Sequence, residues 1–180
     1  DNGFTSVMYD GSKLSLKDNI NITSKIAKLT KSYKISLEGE VGIVGYHNGK
    51  ISKGTNLDEA KKFANESGVD AMAISVGNTH LQTSKIAKID INKIIDIQTK
   101  VKVPLVLHGS SGISYKMRKI IASTTNVAKF NVGTELRMVA GNSLRKSIEQ
   151  NNKTFDRLQM LKPTIKDIKK QAIKVIKNLI

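Results

Sequence analysis

Cysteine is absent from the 180 residues, which excludes disulfide bridges and thiolate ligands and leaves His, Asp, Glu and water to hold any transition metal. The chain contains three histidines, so candidates for such a site are few. Aromatic residues make up 4%, too little for the stacking platforms of single-strand nucleic-acid binders. No apolar run is long enough to cross a bilayer, and the start Asp1-Asn2-Gly3-Phe4 lacks the basic-then-apolar layout of a secretory leader. A soluble, cytoplasmic protein without a membrane partner is expected. Acidic residues are also scarce, 15 against 30 Lys and Arg, for a formal charge of +15. The lysines recur in nearly every segment and are densest near the end (Lys166, Lys169, Lys170, Lys174, Lys177). A spread charge argues against a nucleic-acid interface and leaves attraction for phosphorylated metabolites as its by-product.

What is present is enough apolar residue, 39%, to give residues 1–180 a core of their own as one domain. Five short β-branched runs alternate with amphipathic stretches, the pattern of a parallel sheet with crossover helices. They are Ser6 to Asp10, Ile35 to Val41, Asp70 to Val76 (ending in Gly77-Asn78-Thr79-His80), Val103 to His108 and Val127 to Val132. Helices are expected over Leu14 to Leu29, Leu57 to Ser67, Ile91 to Thr99 and a long stretch after Thr134. Two further helical segments are expected at the end, divided at Leu161-Lys162-Pro163. Asp10, Glu40, His80, His108 and Asn131 fall at or just past the C-terminal ends of successive runs. A (β/α)₈ barrel assembles its site from several strands at that face, whereas an open doubly wound sheet needs such residues only at its switch point. The expected fold is therefore α/β, a partial (β/α)₈ TIM barrel of five βα units out of eight plus C-terminal helices.

His108, in Leu107-His108-Gly109-Ser110-Ser111-Gly112, suits a cation ligand whose second nitrogen is held by a neighbour. A strand-end histidine is equally the place for a hydrogen-bonded structural imidazole, and the same holds for His80. Gly109 to Gly112 and Asn131-Val132-Gly133-Thr134 are short loops feeding helices, able to close on a phosphate or merely to turn and cap the chain. Glu38 and Glu40 alternate along one run and face the same side, where a buried carboxylate needs a cation or a donor. A structural network and a second metal position are both open for them. His47 lies in the glycine loop (Gly42, Gly45, Gly49) and is expected to be solvated.

In order along the chain, Gly3-Phe4-Thr5-Ser6-Val7-Met8-Tyr9-Asp10-Gly11-Ser12, Glu38-Gly39-Glu40-Val41-Gly42, Gly77-Asn78-Thr79-His80, Val103 to Gly112 and Asn131-Val132-Gly133-Thr134-Glu135-Leu136 resemble the class II fructose-bisphosphate/tagatose-bisphosphate aldolases. Phe155-Asp156-Arg157 and Leu161-Lys162-Pro163 resemble that family's C-terminal segment. The resemblance implies that His80 and His108 are two of three histidine ligands to a catalytic Zn²⁺, a Lewis acid that polarises the substrate ketone and stabilises the enediolate. It implies that Gly109, Ser111, Asn131, Val132, Gly133 and Thr134 hold the dihydroxyacetone-phosphate end, that Asn131 reaches the enediolate oxygen, and that Asp10 and Glu40 serve a secondary cation. It further implies a monovalent cation, sugar bisphosphate and triose phosphate ligands, and a homodimer or homotetramer. Tagatose bisphosphate as substrate, or a non-catalytic phosphate-ligand or nucleic-acid binding remnant, are the alternatives.

Departures accompany the likeness. The family carries an Asp-His pair at the end of an earlier strand, the Asp moving the substrate hydroxyl proton and the His completing the zinc shell. No such pair occurs here, because the chain begins at what resembles the fourth strand. The 180 residues alone are therefore expected to be inactive, with two unpaired sheet edges. Leu81 stands where the family has glycine, the loop Gly45-Tyr46-His47-Asn48-Gly49 lacks the family's carboxylate, and Ser110 replaces a glycine.

Overall fold

The computed structural model describes residues 3–46 and 54–180. The apolar runs become strands and the amphipathic stretches helices: β1 (Ser6–Tyr9), α1 (Leu16–Ser32), β2 (Ser36–Val41), β3 (Gly45–Tyr46), α2 (Leu57–Glu66), β4 (Ala71–Ile74), β5 (Thr79–His80), α3 (Ile91–Lys100), β6 (Leu105–Leu107), a 3-10 turn (Ser110–Gly112), α4 (Tyr115–Thr124), β7 (Val127–Phe130), α5 (Thr134–Gln150) and α6 (Arg157–Lys177). Most helix starts are written locally. Ser15, Asn56, Asp90, Ser114 and Asp156 each have an extended backbone, and the side chain of each accepts an N–H from the first turn that follows. α5 differs, since Gly133 at its cap supplies no side chain.

β1, β2, β4, β6 and β7 form one sheet in that order, every neighbouring pair parallel. The order follows the chain without reversing, so each crossover steps to the next neighbour. A doubly wound sheet would reverse at its switch point. With a helix after each strand, these are five βα units of a partial (β/α)₈ barrel, and α6 is added beyond the fifth. Among the described residues, β1 and β7 are the edges of this sheet.

Register divides the sheet's two faces. Gly39, Met72, Leu105 and Val127 form one paired row, and Val41, Ile74, Leu107 and Phe130 another. These rows join Phe63, Ile94, Ile97 and Ile121, all fully buried on the helices, in one core. Each such side chain contributes about 1.5–3 kcal/mol by burial. A side chain on Gly39 would lie 2.8 Å from the Phe63 ring, so only glycine lets the ring press on the strand. The opposite face carries the row Glu40, Ala73, Val106 and Lys129, with Glu38 two residues back on β2.

Two expectations need correction. Leu161-Lys162-Pro163 does not divide two helices, because α6 runs unbroken from Arg157 to Lys177 with Pro163 inside it. The break comes earlier, at 151–156, where Asp156 caps the next helix. Proline removes one backbone donor, and the packing of α6 on α5, fastened by Ser143 Oγ donating to Asp167 Oδ2 at 2.6 Å, offsets that loss. The third strand is also shorter than the sequence suggested. Asn78 Oδ1 accepts from Val76 N–H at 2.8 Å and its Nδ2 donates to Ile74 O at 3.2 Å, which closes a turn after β4. His80 thus sits on the separate strand β5, paired in parallel with β3. His47 lies outside the described residues. Among the described residues no helix is long and apolar enough to cross a membrane.

Candidate functional site

His108 directly follows β6, and its backbone is pinned before its ring does any chemistry. Asn78, fully buried, donates from Nδ2 to the His108 carbonyl at 3.0 Å. The His108 ring lies between two carboxylates, with Nε2 2.8 Å from Glu38 Oε1 and Nδ1 3.1 Å from Glu40 Oε2. Lys129 Nζ, from β7, donates to the other Glu38 oxygen at 2.6 Å. Glu38, Glu40 and His108 are all buried, and each has the partner that burial of a charge requires. Burial, the largest single effect on His108, pulls its pKa down, but the hydrogen bonds and charges of Glu38 and Glu40 together raise it to about 9. Burial pushes Glu38 up, and its bonds to His108 and Lys129 more than reverse this, holding it below the usual carboxylate range.

His80 stands across from this group, its ring centroid 5.8 Å from that of His108 and the planes tilted by 47°. Burial and then the charge of His108 lower its pKa, against the pull of Glu40 and Asp10. The neutral imidazole so favoured is the form that binds metals. Asp10, just past β1, is exposed and accepts from Ser12 N–H at 3.0 Å. His80, His108, Glu40 and Asp10 therefore gather at one rim of the sheet. Two imidazoles beside a carboxylate are donors of the kind zinc takes. Among the described residues no group of three or more His, Cys, Asp or Glu is arranged to hold a metal ion. The donor set fits zinc chemically but forms only part of a coordination shell.

Next to His80 lies a cleft of about 570 Å³. All six of the expected phosphate-loop residues line it: Gly109, Ser111, Asn131, Val132, Gly133 and Thr134. The loops after β6 and β7 brace each other. Asn131 N–H donates to Leu107 O at 2.9 Å, and Ser110 N–H donates to Asn131 O at 3.1 Å. Gly109 has φ +60, and a side chain there would strike Thr79 O at 2.3 Å, so the close approach of the His80 strand requires glycine. Glu135 N–H donates to Ser111 Oγ at 3.1 Å, so a neighbouring loop supplies the cap that Gly133 cannot. The first turn of α5 opens on this cleft, a favourable place for an anion.

Several residues in and around the site were not picked out from the sequence. Arg137 also lines the cleft, with Nη2 3.3 Å from Thr134 Oγ1. Its place three residues after Thr134, on the same helical face, was the available signal. Lys129, in its bond to Glu38, and Asn78, in its bond to the His108 carbonyl, act through contacts that only the fold creates. Behind the cleft, Glu135 accepts from Lys85 at 2.6 Å, from Tyr115 at 2.5 Å and from Gln171 at 2.6 Å, and pairs with Arg118. Burial raises the Glu135 pKa, but the bonds from Lys85, Tyr115 and Arg118 with the Arg118 charge bring it to about 2. Leu81, half exposed on the cleft wall, has φ +59, a left-handed backbone that suits glycine.

The sequence model described as fructose-bisphosphate aldolase class-II matches residues 1–180. The chain is 31% identical to a 6-phospho-5-dehydro-2-deoxy-D-gluconate aldolase of Shouchella clausii (strain KSM-K16), covering 99% of itself and 61% of that protein. Among solved structures it is similar to the YdjI aldolase of Escherichia coli K12, with a TM-score of 0.78, 28% identity, and coverage of 98% of this chain and 60% of that one. It is also similar to a fructose-bisphosphate aldolase of Campylobacter jejuni, with a TM-score of 0.80, 21% identity and coverage of 98% and 60%. The last likeness is one of fold alone. The chain spans about 60% of the length of these relatives.

Proposed function

Because the chain belongs to the class II fructose-bisphosphate aldolase family, we propose that it forms the larger, C-terminal part of a zinc-dependent aldolase that reversibly cleaves a ketose phosphate. Fructose 1,6-bisphosphate, giving dihydroxyacetone phosphate and glyceraldehyde 3-phosphate, is the default substrate. The observation that carries this reading is the approach of the His80 and His108 rings to 5.8 Å, beside a cleft at the start of α5. His80 and His108 hold the zinc, and Asp10 and Glu40 serve a secondary cation position. When bound, the metal supplies Lewis-acid polarisation of the substrate ketone.

The chain's own residues bind and orient. Gly109, Ser111 and Thr134, with the backbone of Val132 and Gly133, take the phosphate against the helix N-terminus, and Arg137 adds positive charge. Asn131, its backbone tied at both N–H and C=O, donates from its side-chain amide to the oxygen that gains charge as the C3–C4 bond breaks. Removal of the C4 hydroxyl proton, and a third imidazole, are assigned to a part of the relatives that these residues do not span. In this reading residues 1–180 are one domain, an incomplete barrel within a cytoplasmic homodimer or homotetramer, with a monovalent cation beside the phosphate.

One observation favours a second substrate. The Shouchella clausii relative is named for 6-phospho-5-dehydro-2-deoxy-D-gluconate, which, like fructose bisphosphate, carries a ketone next to a phosphorylated primary carbon. The phosphate cleft serves either. Zinc content by elemental analysis, for the wild type and for His80→Ala and His108→Ala, tests the metal reading; loss of metal is expected in both variants. Wild-type zinc in His108→Ala would remove the proposed ligand. Assays with fructose bisphosphate, tagatose bisphosphate and the phosphodehydrodeoxygluconate then separate the substrates.

A further inference from the structure

Beneath His108 lie two charged side chains that neither the phosphate cleft nor the proposed metal shell uses. Glu38 comes two residues before Glu40 on β2, so it lies about 6.6 Å deeper, toward the N-terminal end of the sheet. His108 spans this interval, with Nδ1 3.1 Å from Glu40 and Nε2 2.8 Å from Glu38. The ring thus turns Nε2 down into the barrel and Nδ1 up to the rim, where the charges of Glu40 and Asp10 act on His80.

An imidazole that gives one nitrogen to a metal keeps its proton on the other, and a carboxylate commonly fixes which. Glu38 is placed to do so. It is 4% exposed, and Lys129 Nζ, at 2.6 Å, occupies the carboxylate oxygen that does not face His108. A carboxylate held in this way offers Nε2 only an acceptor, as Glu40 does Nδ1, so a metal that takes the rim-facing Nδ1 displaces the proton there and leaves the one on Nε2 in place. The three groups come from β2, from the residue after β6 and from β7, so only the assembled sheet brings them together.

We propose that Glu38, held by Lys129, is a positioning residue that keeps His108 in the Nε2–H form and presents Nδ1 to the metal. This rests on the reading of His108 as a ligand. Glu40 shares the Nδ1 side, so its hydrogen bond is the one that metal binding replaces, while the Glu38 bond persists.

The test uses the full polypeptide with Glu38→Leu, Glu38→Gln and Lys129→Met, alongside wild type and His108→Ala. Zinc and cobalt(II) affinities are measured by competition with a chromophoric chelator, and the His108 ring nitrogens are followed by ¹⁵N NMR. Glu38→Leu is expected to weaken metal binding about 10–100-fold and to lose the Nε2–H signature. Glu38→Gln, which retains an acceptor, recovers part of both, and Lys129→Met falls between wild type and Glu38→Leu. If Glu38→Leu fails to fold, the Gln and Met variants carry the comparison through the NMR signature. Unchanged affinity and unchanged ring signals in the folded variants, with metal lost only in His108→Ala, overturn the positioning role and leave the ligand reading standing. A wild type that takes up no metal overturns both.

Discussion

Leu81 holds a left-handed backbone, φ +59, that suits glycine better than leucine. A non-glycine side chain in the left-handed region costs about 1–2 kcal/mol, and glycine returns part of that through its freer unfolded chain. Leu81→Gly, which also opens the cleft wall, is expected to raise stability by about 0.5–1 kcal/mol in urea denaturation; a loss would show that the leucine side chain contributes packing that its half-exposed position does not suggest. Glu135 contributes to the acid limb of stability. Its folded pKa of about 2 lies below its unconstrained value of 4.5, so the unfolded chain binds the extra proton in between. Its contribution is complete above about pH 4.5 and is lost as pH falls toward 2. Glu135→Gln should flatten stability across that window, as measured by denaturation at successive pH values, and an unchanged slope would refute the assignment. At this scale the sequence disclosed the rim residues, because side chains just past β-branched runs must reach the barrel mouth. It could not disclose the bond of Lys129 to Glu38 or that of Asn78 to the His108 carbonyl, which join segments far apart in the chain and depend on register.

Helices and strands differ in how plainly they are written. The five main strands and most helices stand near their expected places because β-branched runs, caps and helical periodicity act within a few residues. β3 and β5, two residues each, are too short to have a period, and exist because the loops that follow β2 and β4 meet. α6 misled for the opposite reason: Pro163 is a strong local signal for a break, overridden by the partner helix. Pro163→Ala restores the backbone donor toward residue 159, and is expected to stabilise by about 1 kcal/mol or more. Thermal unfolding followed by circular dichroism checks this, and a decrease would mean that the proline sets a bend on which the α5 packing depends.

For the molecule as a whole, order of strands was legible and closure was not, since pairing at β1 and β7 depends on what lies next to them. Val7 and Met8 on β1 remain 36% and 41% exposed, beside backbone groups on what is, among the described residues, an edge of the sheet. The 180-residue polypeptide by itself is expected to associate with rising concentration in sedimentation velocity, and Val7→Lys to suppress this despite the +15 charge; a monodisperse wild type would show the edge to be already protected. A last consequence follows from Glu135. Its amide is tied to the Ser111 hydroxyl in the pocket floor, while its carboxylate fastens α4 through Arg118 and Tyr115 and α6 through Gln171. Recess and outer jacket are thus bolted by a single residue, through its backbone on one side and its carboxylate on the other, and drift in the jacket is limited by what the recess must keep still.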